Sequence, residues 1–150
     1  PRKIDESLPA NLHCGLYHLP ARFTYEEEKQ KQYDAAEGQT INSVHQIAPE
    51  DVINHINDFY VLDVRDPDEL AASDPKMLIP GYHSIPLADL GMEKRPQVAK
   101  SQKILLVCRS GLRSQQAGGV LSMLGYSELY NLSGGAVRWG RTTATPSEEA

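Results

Sequence analysis

From Thr40 onward the chain alternates short apolar runs with segments of helical spacing. Tyr60-Val61-Leu62-Asp63-Val64 and Lys103 to Val107 carry near-continuous apolar runs, the pattern of strands covered on both faces. Ile41 to Val44, Ser84-Ile85 and Glu128 to Leu132 complete a set of five predicted strands. Helices are predicted between them. Pro49 suits a first helical turn, and Glu50 and Asp51 complement its positive end. Val52, Ile53 and Ile56 give that helix a buried stripe ending near Asn57. Pro67 to Leu70 opens a short helix, and Leu87 to Leu90 makes a helical turn. Ala117, Val120, Leu121 and Leu124 recur at i, i+3, i+4 and i+7, so Ser114 to Leu124 reads as a helix stopped by Gly125. Gly134-Gly135 then turns into a last helix containing Val137 and Trp139. Strict alternation of this kind predicts an α/β domain of three layers: a mostly parallel five-stranded sheet with helices on both faces. Gly118-Gly119 inside a helix costs stability relative to alanine and predicts close packing against the sheet.

The ends of the chain depart from this pattern. Residues 1–40 are expected to form an arm, partly helical through the charged run Glu26 to Gln32; residues 41–141 form the domain, and residues 142–150 a flexible tail. With 150 residues, 40% hydrophobic and 23% charged, one domain is the natural division. A net charge of −5 gives no electrostatic reason to expect nucleic acid or an anionic membrane as partner. No apolar stretch approaches the roughly 20 residues needed to span a bilayer, and no signal-peptide core is evident. Cys14 and Cys108 stand far apart with no CxxC spacing, so no disulfide framework is expected. That usage points to a reducing, cytoplasmic setting, with the periplasm as the alternative if Pro1 is a processed end. His13, Cys14 and His18 are too few, on an arm, to predict a metal site.

The chemistry concentrates in Leu106-Val107-Cys108-Arg109-Ser110-Gly111-Leu112-Arg113-Ser114. A strand stops at a cysteine, small and cationic residues follow, and a helix begins. Such a loop makes a nest of backbone amides backed by a helix N-terminus, which favours an anion held inside it. Gly111 permits the backbone angles of a closed curl. In parallel sheets ligands bind beyond the carboxyl ends of the strands, where Cys108 and Asp63-Val64-Arg65 both fall. Asp63 and Arg65 are expected to make a structural ion pair or to brace the loop rather than to act on substrate.

Four pieces in order resemble the rhodanese domain, specifically its single-domain sulfurtransferases. They are Leu62-Asp63-Val64-Arg65-Asp66-Pro67-Asp68-Glu69, Ile79-Pro80-Gly81-Tyr82-His83-Ser84-Ile85-Pro86-Leu87, the loop Cys108 to Ser114, and Ser133-Gly134-Gly135-Ala136-Val137-Arg138-Trp139. The resemblance spans residues 41–140. Lys76-Met77-Leu78 replaces a usual Gly-His pair, Tyr82 a small residue and Arg138 an alanine. The resemblance implies a sulfurtransferase without cofactor or metal. In it Cys108 takes a sulfane sulfur from a small anionic donor, becomes a persulfide and passes the sulfur to cyanide or to a small or protein thiol. Arg109 and Arg113 would orient the donor, Ser110 and Ser114 would add hydroxyls, and Gly111 and Leu112 complete the loop. Arg109 directly after the cysteine points toward thiosulfate or another inorganic anion. The alternatives are a cysteine-dependent phosphatase or arsenate reductase of the same fold, and a persulfide-carrying module with little turnover. Phosphatase loops are one residue longer and carry arginine six positions after the cysteine, where this chain has Ser114. Oligomeric state is left open.

Overall fold

The structure, a computed structural model, describes residues 21–143. The readings made above for Cys14, for His13 and His18, and for residues 144–150 lie outside the described residues.

Helix α1 (Ala21–Ala35) precedes a hairpin of β1 (Thr40–Ile41) and β2 (Val44–Ile47). Then come α2 (Pro49–Val52), a 3-10 helix over Ile53–Asp58, β3 (Tyr60–Asp63) and α3 (Pro67–Ala71). Short 3-10 turns at Pro75–Met77 and Leu87–Asp89 flank β4 (His83–Ser84). The chain continues through β5 (Ile104–Val107), α4 (Leu112–Met123), β6 (Leu129–Leu132) and α5 (Gly135–Thr143). The sheet order is β1-β2-β6-β5-β3-β4, with β1 antiparallel to β2 and every other pair parallel.

The sheet therefore has six strands among the described residues, not the five expected. The difference lies at residues 41–44, expected as one strand. Asn42 and Ser43 take positive φ, 49° and 72°, and form a two-residue turn that pairs Ile41 with Val44. Such a turn matches the twist of the flanking strands, and asparagine tolerates the left-handed region. The helix expected from Pro49 to Asn57 is α-helical for one turn and continues as 3-10 across a kink at His55.

Side-chain alternation divides the core in two. On one face Val44, Leu62, Val64, Ile104, Leu106, Cys108 and Leu129 pack against Ala117 and Leu121 of α4. On the other, Val61, Leu105, Val107 and Leu132 pack against Val52, Ala136 and Trp139 from α2 and α5. Gly118 explains itself on the first face: a Cβ there would lie 2.5 Å from Val44 Cγ2, whereas Gly119 faces open space. Helix α4 ends as its sequence predicts. Gly125, φ 100°, donates to Ser122 O and Tyr126 N–H reaches Leu121 O, both at 3.1 Å, which satisfies carbonyls the helix leaves open.

Candidate active site

Cys108 follows the last residue of β5, and Gly111 is the N-cap of α4. Strand alternation turns Cys108 to the same face as Leu106, where it is 1% exposed. Gly111, φ 108°, reverses the chain so that its N–H donates to Cys108 Sγ at 3.0 Å. Ser114 Oγ lies 3.3 Å from the same sulfur. The sulfur thus meets one amide, one hydroxyl and the positive end of a 12-residue helix. Among the described residues, Gly111 alone of the expected nest of amides bonds to the sulfur.

A buried amide chain stands behind Ser114. Asn131 Nδ2 donates to Gln46 Oε1 and to Gly111 O, at 2.9 Å each, which turns its carbonyl oxygen toward Ser114. The Ser114 hydroxyl donates to that oxygen. Gln46 Nε2 donates to Gln115 Oε1 at 2.6 Å, and Gln115 Nε2 to Ile41 O at 3.0 Å. With its one proton committed to Asn131, Ser114 can only accept from the Cys108 thiol; once the sulfur is anionic the hydroxyl can rotate to donate to it. Gln46, Gln115 and Asn131 were not among the expected site residues. Their signal was a polar residue at an inward position: Gln46 shares the face of Val44, and Asn131 that of Leu129.

The loop is held from beneath by α5. Ala136 N–H donates to Cys108 O at 2.8 Å and Val137 N–H to Arg109 O at 3.1 Å. A Cβ on Gly135 would come within 2.6 Å of Ser110 N and closer still to the Arg109 carbonyl. Gly135 is thus a requirement of close approach between two backbones, whereas a Cβ on Gly134 would meet the Arg138 side chain. Gln30 of α1 also holds the loop, donating to Ser110 O at 2.9 Å.

The four charged candidates have different environments. Arg65 and Asp63 form a buried bidentate pair, with Nε 3.0 Å from Oδ1 and Nη2 2.7 Å from Oδ2. Arg65 Nη2 also donates to Met77 O at 2.9 Å, which ties the pair to the 75–77 turn beyond α3. Arg113 is engaged in an ion pair: it donates to both Glu69 oxygens, at 2.6 and 2.8 Å. Glu69 also accepts from Asp66 N–H in a capping box on α3. The Arg113 guanidinium holds the Glu69 carboxyl well below its ordinary range, at about 2. Arg109 is exposed and has no ion-pair partner among the described residues. Ser110 is exposed and offers its carbonyl to Gln30, and Leu112 opens α4. Beside the loop lies a pocket of about 360 Å³ whose walls include Arg65, Glu69, Ala72, Asp74, Met77 and Arg109.

Residues 48–142 match the model of the rhodanese-like domain. The chain belongs to that family. It is 34% identical over 85 residues to a protein of Allochromatium vinosum named sulfurtransferase, covering 56% of this chain and 74% of that one. It is 32% identical over 85 residues to the thiosulfate sulfurtransferase GlpE of Pseudoalteromonas translucida, covering 55% of this chain and 73% of that one. A crystal structure of a rhodanese-related protein from Thermoplasma volcanium aligns with a TM-score of 0.53 and 29% identity, covering 67% of this chain and 94% of that one.

One departure from the usual rhodanese pattern now has a contact to explain it. Arg138 binds the carboxylate of Glu37, between α1 and β1, and that of Glu50 at 3.1 Å, tying both segments to α5. Among the described residues no helix is long and apolar enough to cross a membrane.

Proposed function

We propose that this rhodanese-like domain is a sulfurtransferase that carries sulfane sulfur on Cys108. The supporting observation is the sulfur's environment, a buried thiol receiving the Gly111 N–H at 3.0 Å with Ser114 Oγ at 3.3 Å. The Gly111 amide is a fixed donor that stabilises an anion in place, and the Ser114 hydroxyl can turn from Asn131 to add a second. The Cys108 thiolate attacks the outer sulfur of a small donor such as thiosulfate or polysulfide. The donor's S–S bond breaks, its electron pair leaves with sulfite or the shortened chain, and a new S–S bond forms at Sγ. A thiol acceptor, or cyanide in an assay, then takes the outer sulfur and restores the thiolate. In this reading Gly111 and Ser114 hold the persulfide, Arg109 meets the incoming donor, and Arg113 fixes the loop through Glu69. The sulfurtransferase names of the relatives point the same way.

Intact mass of the unreduced protein after exposure to thiosulfate and to polysulfide tests it. Wild type should gain about 32 Da, one sulfur atom, and Cys108→Ser should not. Equal gain in both proteins, or no gain with either donor, rejects the assignment, and hydrolysis of a phosphate-ester panel would then favour the phosphatase alternative.

A further inference from the structure

We infer that the donor is an alkyl persulfide bearing both an ammonium and a carboxylate, in the manner of an amino-acid persulfide. This rests on the sulfurtransferase reading and names the substrate class for the pocket beside the loop. A doubly charged inorganic anion is best held by a surplus of positive charge. The pocket lacks that surplus, because its lining contains two cations, Arg65 and Arg109, and two carboxylates, Glu69 and Asp74. Arg65 is consumed by Asp63, and Glu69 by Arg113. What remains is Arg109 and Asp74, one of each sign. Asp74 accepts a hydrogen bond from Lys76 N–H at 3.0 Å, which fixes its carboxylate at the start of the 75–77 turn.

Between these charges Ala72 and Met77 supply apolar wall for a short alkyl chain. A volume of about 360 Å³ suits an amino-acid or small-peptide thiol. The donor's carboxylate would face Arg109 and its ammonium Asp74. Its terminal sulfur would approach Cys108 past Arg109, an exposed side chain with little to hold it in place. In the transfer the Cys108 thiolate attacks the terminal sulfur of R–S–SH. The S–S bond of R–S–SH breaks, its electron pair leaves on the thiolate R–S⁻, and Sγ forms a new S–S bond to the transferred S–H. Charge and electrons balance with no outside oxidant or reductant.

The experiment compares Cys108 loading rates, by time-resolved intact mass, for three donors: cysteine persulfide, 3-mercaptopropionate persulfide (which lacks the ammonium) and thiosulfate. Wild type should load from cysteine persulfide faster than from either other donor, by about fivefold, the effect of one partly exposed ion pair. Asp74→Asn keeps the cap of the turn and should erase the difference between the two persulfides. Thiosulfate loading as fast as cysteine persulfide, or a preference that survives in Asp74→Asn, overturns the inference while leaving sulfur transfer intact. No loading from any donor overturns both.

Discussion

Arg113 on α4 and Glu69 on α3 close a bidentate ion pair across 44 residues of sequence, at 2.6 and 2.8 Å. The pair joins the catalytic-loop helix to the helix that borders the pocket. It also engages a loop arginine that the family resemblance assigns to the donor.

That pair has a pH signature. The Glu69 pKa is lowered from 4.5 to about 2 in the folded protein, mainly by the Arg113 hydrogen bonds. A lowered carboxylate pKa stabilises the fold above the unfolded value and loses that contribution as pH falls through the folded value. Stability should therefore decline between about pH 4.5 and 2, and Glu69→Gln should flatten this decline. Because the pair is about one-third exposed, Glu69→Gln should cost about 1 kcal/mol or less at pH 7 in urea unfolding. The capping box, which glutamine can retain, should survive.

Asn131→Leu should be far more damaging. It strips partners from Ser114, Gln46 Oε1 and Gly111 O, all inside the protein. Leaving buried polar groups unpaired costs about 1–3 kcal/mol each, so a loss of at least about 2 kcal/mol in chemical unfolding is expected. Sulfur loading of the variant that still folds should slow, since Gly111, whose N–H meets the sulfur, would lose the anchor on its own carbonyl. A near-neutral Asn131→Leu would mean that the amide chain contributes nothing.

The adjacent glycines of α4 should answer alanine with opposite signs. Gly119→Ala meets open space and should gain about 0.5–1 kcal/mol from helix propensity. Gly118→Ala drives a methyl against Val44 and toward Leu106, and overpacking of about 1–3 kcal/mol outweighs that gain. Thermal unfolding of the two variants side by side decides this.

Gly135→Ala should separate stability from activity less cleanly. Its Cβ would collide with the backbone at Arg109 and Ser110, and its φ of 65° already favours glycine. The variant should lose about 2 kcal/mol or more and most sulfur loading, because the loop must lift off α5. Retained loading with a normal melting temperature would show that the loop tolerates displacement.

Much of the domain could be read along the chain because its signals are local. The apolar run ending at Cys108, the helical spacing from Ala117 to Leu124, the left-handed Gly125 and the Pro49 start each involve residues within one or two turns. Such patterns reflect covalent periodicity and backbone propensity, so no partner need be known. The hairpin turn at Asn42-Ser43 was missed although it too is local: asparagine and serine mark such turns more weakly than Asn-Gly.

What sequence alone determined is the order of elements, a nucleophile-bearing strand-loop-helix and the family motifs around it. Tertiary structure decided which charges remain available. Strand order set Gln46 and Asn131 side by side beneath Ser114, although 85 residues separate them. The packing of α3 beside α4 gave Arg113 to Glu69 and left Arg109 to the pocket. Distances of a few ångströms between residues far apart in sequence control electrostatics and hydrogen bonding, and those distances are set by how sheet and helices pack rather than by spacing along the chain.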